Sequence, residues 1–171
     1  EIPEIFGAED VLFNRAVSED VFNRAVEVVN DFKNYFLSHG EPVGENPSPG
    51  NRDGGITTLE DKSLGCVQKG GRAPLSDVIR YGEQIRTTGL TLLEGPGNDI
   101  VAVSALAAAG CHIVLFTTGR GTPLGGPVPV VKVSSNTPLA EKKGNWIDFN
   151  AGELVDGVDM DRLADQFLDH I

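Results

Sequence analysis

Arg120 stands between two glycines in Thr117-Thr118-Gly119-Arg120-Gly121-Thr122-Pro123, directly behind the apolar run Ile113-Val114-Leu115-Phe116. A guanidinium there has no obvious core role, and its planar fork matches a carboxylate. The plainer reading is a solvated surface arginine. A second loop, Glu94-Gly95-Pro96-Gly97-Asn98-Asp99, follows the run Leu90-Thr91-Leu92-Leu93. It opens a helix, whose first backbone amides attract small anions. Against that, Asn98 is the natural cap of its own helix, and Asp99 would repel an anion. A third stretch, Thr57-Thr58-Leu59-Glu60-Asp61-Lys62-Ser63-Leu64-Gly65, carries two candidates for proton transfer. Glu60 has a structural explanation as partner of Thr57 in a capping box. Lys62 is otherwise an ordinary solvated helix charge. Cys66, one turn further on, reads as a small core residue. His39, His112 and His170 each stand alone, without the neighbours that a catalytic triad or a metal pair requires.

Composition narrows the partners. The 171 residues carry a formal charge of −11, with 40% hydrophobic residues, 21 Gly and 10 Pro. Such a charge disfavours nucleic acid and anionic membranes, which reward Lys/Arg patches. No apolar run approaches the ~20 residues that cross a bilayer. Cys66 and Cys111 lack metal-type spacing and suit a reducing compartment, so a cytoplasmic location is expected. The glycine loop at 119–125 does not match the dinucleotide fingerprint, because Pro123 interrupts it and no helix follows; a Walker Lys-Ser/Thr is also missing. The chain opens Glu1-Ile2-Pro3 without Met and reads as a fragment of something longer.

These residues need elements to position them. Ser18 caps an expected helix over 19–37, with Val21, Ala25, Val28, Val29, Phe32 and Phe36 on one face. The stretch from Asn46 to Gly55 reads as neither helix nor central strand, being either a linker or a fixed loop over a site. Pro47 and Pro49 pre-set φ, which lowers the entropy lost on ordering and favours the fixed wall. The Thr57 capping box predicts a helix over 58–69, ended by Gly70-Gly71. Residues 74–81 are ambiguous between helix and strand. The runs at 90–93 and 113–116, joined by an Ala-rich helix from 100 to 110, form a βαβ pattern, which would bring both glycine loops to one edge of a parallel sheet. A third strand at 128–133, a helix at 137–143, a strand and loop at 146–152, and a helix at 159–171 through Leu163, Phe167 and Leu168 complete the chain. The reading is a single α/β unit over 1–171, a parallel sheet flanked by helices.

Taken together, five stretches resemble the C-terminal part of the altronate and galactarate dehydratase family. They are Asn46-Pro-Ser-Pro-Gly-Asn51, Thr57 to Gly65, Gly95-Pro-Gly-Asn-Asp99, Phe116 to Pro123, and Trp146-Ile-Asp-Phe-Asn-Ala-Gly152. The third and fifth look nearer to the altronate than to the galactarate members. The resemblance implies a Rossmann-like variant forming part of a larger catalytic domain. An N-terminal β-clip domain and the first part of the catalytic domain would lie outside these residues. It also implies a divalent metal, Fe2+ with Mn2+ as the alternative, and a sugar-acid substrate. A homodimer of the full-length protein is compatible with it.

The family's chemistry removes the proton α to a sugar-acid carboxylate and expels the β-hydroxyl as water. The enolate so formed needs an electrophile and a positioned base. The resemblance marks this segment without choosing a side chain; Lys62 is the preferred proton-transferring or enolate-stabilising group because Glu60 already has its capping-box partner, and Glu60 is the alternative. Two positions apart on a helix is roughly 200°, so both cannot face one pocket. Burial beside the loops at 94–99 and 117–123 would favour the neutral amine that a base requires. Arg120, with Thr118 and Gly119, would hold the substrate carboxylate, and Asn46, Asn51 and Asn98 would line the site. No convincing ligand set for the metal is visible, although Glu60 and Cys66 are candidates. A different sugar-acid dehydratase, or a non-catalytic carboxylate-binding α/β module, stays open.

Overall fold

The computed structural model describes residues 1–171, which fall into two compact units, Glu1–Ala109 and Gly110–Ile171. It is an α/β protein whose parallel sheets are flanked by helices, the class expected. No helix is long and apolar enough to cross a membrane.

The first unit opens with a 3-10 turn, Ile2–Ile5, and a short helix α1, Glu9–Phe13. Helix α2, Glu19–Ser38, starts where Ser18 accepts a hydrogen bond from the Val21 amide. Its apolar stripe buries Val21, Ala25, Val28 and Val29 against Ile2, Phe6, Leu12 and Phe13, with Phe32 and Phe36 packed at the margin. Burying these side chains supplies the main driving force of this unit. Strand β1, Leu75–Ile79, resolves the ambiguous segment and pairs in parallel with β2, Leu90–Leu93. Arg24 ties α2 to β1 through Asp77 Oδ1 at 2.8 Å and the Val78 carbonyl at 2.6 Å. Burial pushes the Asp77 carboxyl up, but hydrogen bonds from Arg24, Thr87 and the Val78 amide hold it below its ordinary value.

Two expectations in this unit are corrected. The stretch from Asn46 to Gly55 contains a one-turn helix, α3, Pro49–Asp53. Pro49 sits at its first position, where the missing N–H costs nothing and the fixed φ suits a helix. Helix α4, Leu59–Gln68, is capped by Thr58 and not by Thr57, with Thr58 Oγ1 accepting from the Asp61 amide at 3.1 Å. Glu60 is therefore outside any capping box, and it is exposed. Helix α5, Asp99–Ala108, follows its expected cap Asn98.

The second unit holds a three-stranded parallel sheet in the order β3, Val114–Thr118; β4, Val130–Ser134; β5, Phe149–Asn150. Pro129 stays outside β4 and offers its carbonyl to the Val114 amide at 2.9 Å. The βαβ reading needs correction here: β2 pairs with β1 and β3 pairs with β4, so the two runs do not share one sheet. Helix α6, Thr137–Lys142, is capped by Asn136. Helix α7, Met160–His170, buries Leu163 and packs Phe167 against Phe149 in a tilted contact with ring centroids 4.8 Å apart. Leu168 points away and stays 66% exposed, contrary to expectation, because it falls past the buried stripe. Between β5 and α7, Gly152 is obligatory: a Cβ there would lie 2.3 Å from the Thr137 backbone nitrogen. Much of the 146–152 motif thus serves packing within the sheet unit.

One buried polar contact joins α4 to the amino-terminal turn. Ser63, fully buried, donates its hydroxyl to the Phe6 carbonyl. Ser63→Ala strands that carbonyl without a partner. It should lower stability by about 1–3 kcal/mol, read as a reduced denaturation midpoint at unchanged slope.

Candidate functional site

The cap at Thr58 sets the phase of α4, so that Lys62 and Cys66, one turn apart, face the same way. They face Glu4. The Lys62 ammonium lies 3.2 Å from Glu4 Oε2 and donates to Asn51 Oδ1 at 3.1 Å. Asn46 Nδ2 donates to Glu4 Oε1 at 3.0 Å, and the Cys66 thiol donates to Glu4 Oε2 at 3.8 Å. Asn51 is in turn fixed by donating to Ser48 Oγ at 2.6 Å. Three residues, Asn46, Lys62 and Cys66, therefore meet the Glu4 carboxylate, and Asn51 joins the cluster through Lys62. Lys62, Asn46, Asn51 and Cys66 are expected from the sequence. Glu4 is not: it lies in none of the quoted motifs, and its only local signal is an acid inside an apolar stretch.

The cluster is reachable. Lys62 and Glu4 side chains each keep 21% of their exposure. Glu60 is exposed and takes no hydrogen bond or ion pair, so Lys62 is the member of that pair which enters the cluster. The Gly95 loop serves the same region by another route. Its carbonyl accepts the Ile2 amide at 2.8 Å, anchoring the turn that carries Glu4. Asn98 caps α5 through the Val101 amide at 3.4 Å and is exposed. A polar cleft of about 540 Å³ elsewhere in this unit is lined by Arg24, Asp77, Gln84 and Arg86, and by none of the expected residues.

In the second unit, Thr118 ends β3, and its Oγ1 accepts the Gly121 amide at 2.9 Å. Gly119 offers its carbonyl to Asn136 Nδ2 at 3.1 Å, and the Arg120 carbonyl accepts Lys143 Nζ at 2.8 Å. Gly121 needs its φ of +79°, and a Cβ there would meet Lys143 Cδ at 3.0 Å. The backbone on both sides of Arg120 is thus fixed, while its guanidinium is exposed and makes no ion pair or hydrogen bond within the chain. Asn136 is a second residue that sequence reasoning misses. It caps α6 and holds the Gly119 carbonyl at once.

Over residues 1–171 the chain matches the family described as D-galactarate/Altronate dehydratase, C-terminal. The chain belongs to that family. It is 59% identical over 171 residues to the altronate dehydratase of Escherichia coli K12, covering all of this chain and 34% of that protein. It is 64% identical over 156 residues to the altronate dehydratase of Bacillus subtilis 168, covering 91% of this chain and 31% of that protein. The galactarate dehydratase (L-threo-forming) of E. coli K12 is 35% identical over 158 residues, 92% of this chain and 30% of that protein. The chain therefore spans about a third of the length of these curated relatives.

A divalent metal does not fit this family member's own residues. No three His, Cys, Asp or Glu side chains group as a metal site. Glu4 and Cys66 are neighbours, but the Lys62 ammonium beside them opposes a cation. Burial pushes the Cys66 thiol up, which keeps it protonated at neutral pH and a poor ligand. After anaerobic incubation with Fe2+ or Mn2+ and desalting, the chain should retain well under one equivalent of metal by elemental analysis. Retention of a full equivalent would place the metal site within these residues.

Proposed function

We propose that the chain is the C-terminal part of a sugar-acid dehydratase, a hydro-lyase that converts D-altronate into 2-keto-3-deoxygluconate. The observation that carries this reading is the meeting of Lys62, Asn46 and Cys66 on the single accessible carboxylate of Glu4, with Asn51 holding Lys62, inside a chain matched to the family from end to end. The choice of altronate over galactarate is supported by identities of 59% and 64% against 35%. The reaction would remove the α-proton and expel the β-hydroxyl, which demands a proton acceptor and a proton donor held together. The divalent cation, Fe2+ or Mn2+, is proposed to draw its ligands from parts of the enzyme other than these residues. The proposed compartment is the cytoplasm, which suits two free thiols.

Arg120 is proposed as the residue that grips a substrate carboxylate through a two-pronged ion pair. The fixed backbone on either side reduces the entropy lost when it binds, and no internal acid competes for its guanidinium. Thr118 and Gly119 would support it by holding the loop.

Full-length enzyme reconstituted anaerobically with Fe2+ should turn D-altronate into the 2-keto-3-deoxy acid, followed by chromatography of the product. Turnover of galactarate in its place would reject the substrate and keep the reaction class. Arg120→Lys should lower kcat/KM by on the order of 1.5–3 kcal/mol. Wild-type kinetics in that variant would remove Arg120 from the site.

A further inference from the structure

We propose that Glu4 and Lys62 form the acid–base pair of the elimination, with Glu4 taking the α-proton and Lys62 giving a proton to the departing β-hydroxyl. The proposal rests on the dehydratase reading above. It reverses the expectation that Lys62 is the base, and the geometry is the reason. Lys62 donates to Asn51 Oδ1 and forms an ion pair with Glu4 Oε2 at 3.2 Å. An ammonium has three protons to offer and no lone pair, whereas an ionised carboxylate can only accept. In this pair the acceptor is Glu4.

The carboxylate of Glu4 is oriented for that task. Its two oxygens offer about four acceptor positions. Three are used, by Asn46, Lys62 and Cys66. One is left for a substrate C–H. The step then balances. The α-C–H bond breaks, its proton goes to a Glu4 oxygen, and its electron pair forms the C=C bond. The β-C–O bond breaks with its electrons on oxygen, and a proton from Lys62 Nζ completes the water. The enol so formed tautomerises to the keto acid. Glu4 is left neutral and so is Lys62. Their 3.2 Å separation lets the proton pass directly from the carboxyl to the amine. The pair is reset without any exchange with solvent, as a reaction with no net proton change allows.

Each role can be separated by changing the leaving group. Fluoride departs without needing a proton, so an aldonate bearing fluorine in place of the β-hydroxyl requires the base alone. In the full-length enzyme, Lys62→Met should lose altronate dehydration by at least 100-fold yet release fluoride from that analogue within 10-fold of wild type. Its Glu4 would still be held by Asn46 and Cys66. Glu4→Gln, which keeps the shape of the side chain, should lose both reactions by at least 100-fold with KM little changed and the melting temperature within a few degrees. Dehydration by Glu4→Gln within 3-fold of wild type overturns the proposal. So does a Lys62→Met variant equally inactive on both substrates while wild type releases fluoride. Wild-type enzyme that dehydrates no sugar acid overturns the dehydratase reading itself, a separate and recognisable failure.

Discussion

The hydroxyl of Ser63, buried and bonded to the Phe6 carbonyl, fixes the spacing on which the first unit's chemistry depends. A carbonyl removed from water costs free energy unless a donor meets it, so helix α4 and the amino-terminal turn cannot slide apart cheaply. Lys62 precedes Ser63 by one residue, and Glu4 precedes Phe6 by two. Locking Ser63 to Phe6 therefore brings their functional neighbours within hydrogen-bond range. The apolar residues around this contact have the same effect. Ile2 and Phe6 are almost fully buried against α2, so the turn carrying Glu4 is part of the core and not a loose end.

Much of this was legible in the sequence where the signal is periodic or capped. Ser18, Asn98 and the stripe on α2 act as their spacing implies, because each element has one apolar face and one polar cap. What was not legible is informative. The segment from Ile2 to Phe13 has no helical or strand period, since its buried residues belong to two short turns, and a period needs length to show itself. Glu4 is nearly invisible for the same reason: an acid inside an apolar stretch is a weak local mark, and only the fold brings Asn46, Lys62 and Cys66 to it. At the cap of α4, Thr57 and Thr58 are equally good oxygen acceptors, and a cap at Thr57 would give Glu60 a partner it does not have. A shift of one residue on a helix is about 100°, enough to change which side chain has a structural explanation.

The parallel-strand signature at 90–93 and 113–116 illustrates a different limit. Each run is a strand, and each lies in a parallel sheet, so the local reading of element type is sound. Pairing is decided by which neighbour offers matching exposed edges. Leu75–Ile79, read only as ambiguous, pairs with β2, and Val130–Ser134 pairs with β3. Right-handed crossover rules constrain the path between paired strands; they do not say which strands pair.

Charge explains how so acidic a chain could serve an anionic substrate. At physiological ionic strength, charges more than about 8 Å apart are largely screened where solvent reaches them. The net charge of −11 therefore matters less at any one site than the few groups around it. Several cations are already committed: Arg24 to Asp20 and Asp77, Arg80 to Glu27 and Asp31, Lys33 to Glu9. These pairs brace helix α2 and leave no charge for a ligand. Arg120 is arranged the other way, with its backbone tied by Asn136 and Lys143 and its guanidinium left free. Lys62 stands between the two cases. It is paired, yet both it and its partner remain partly open to solvent, and a pair of that kind can exchange a proton with a substrate as well as hold a helix to a turn.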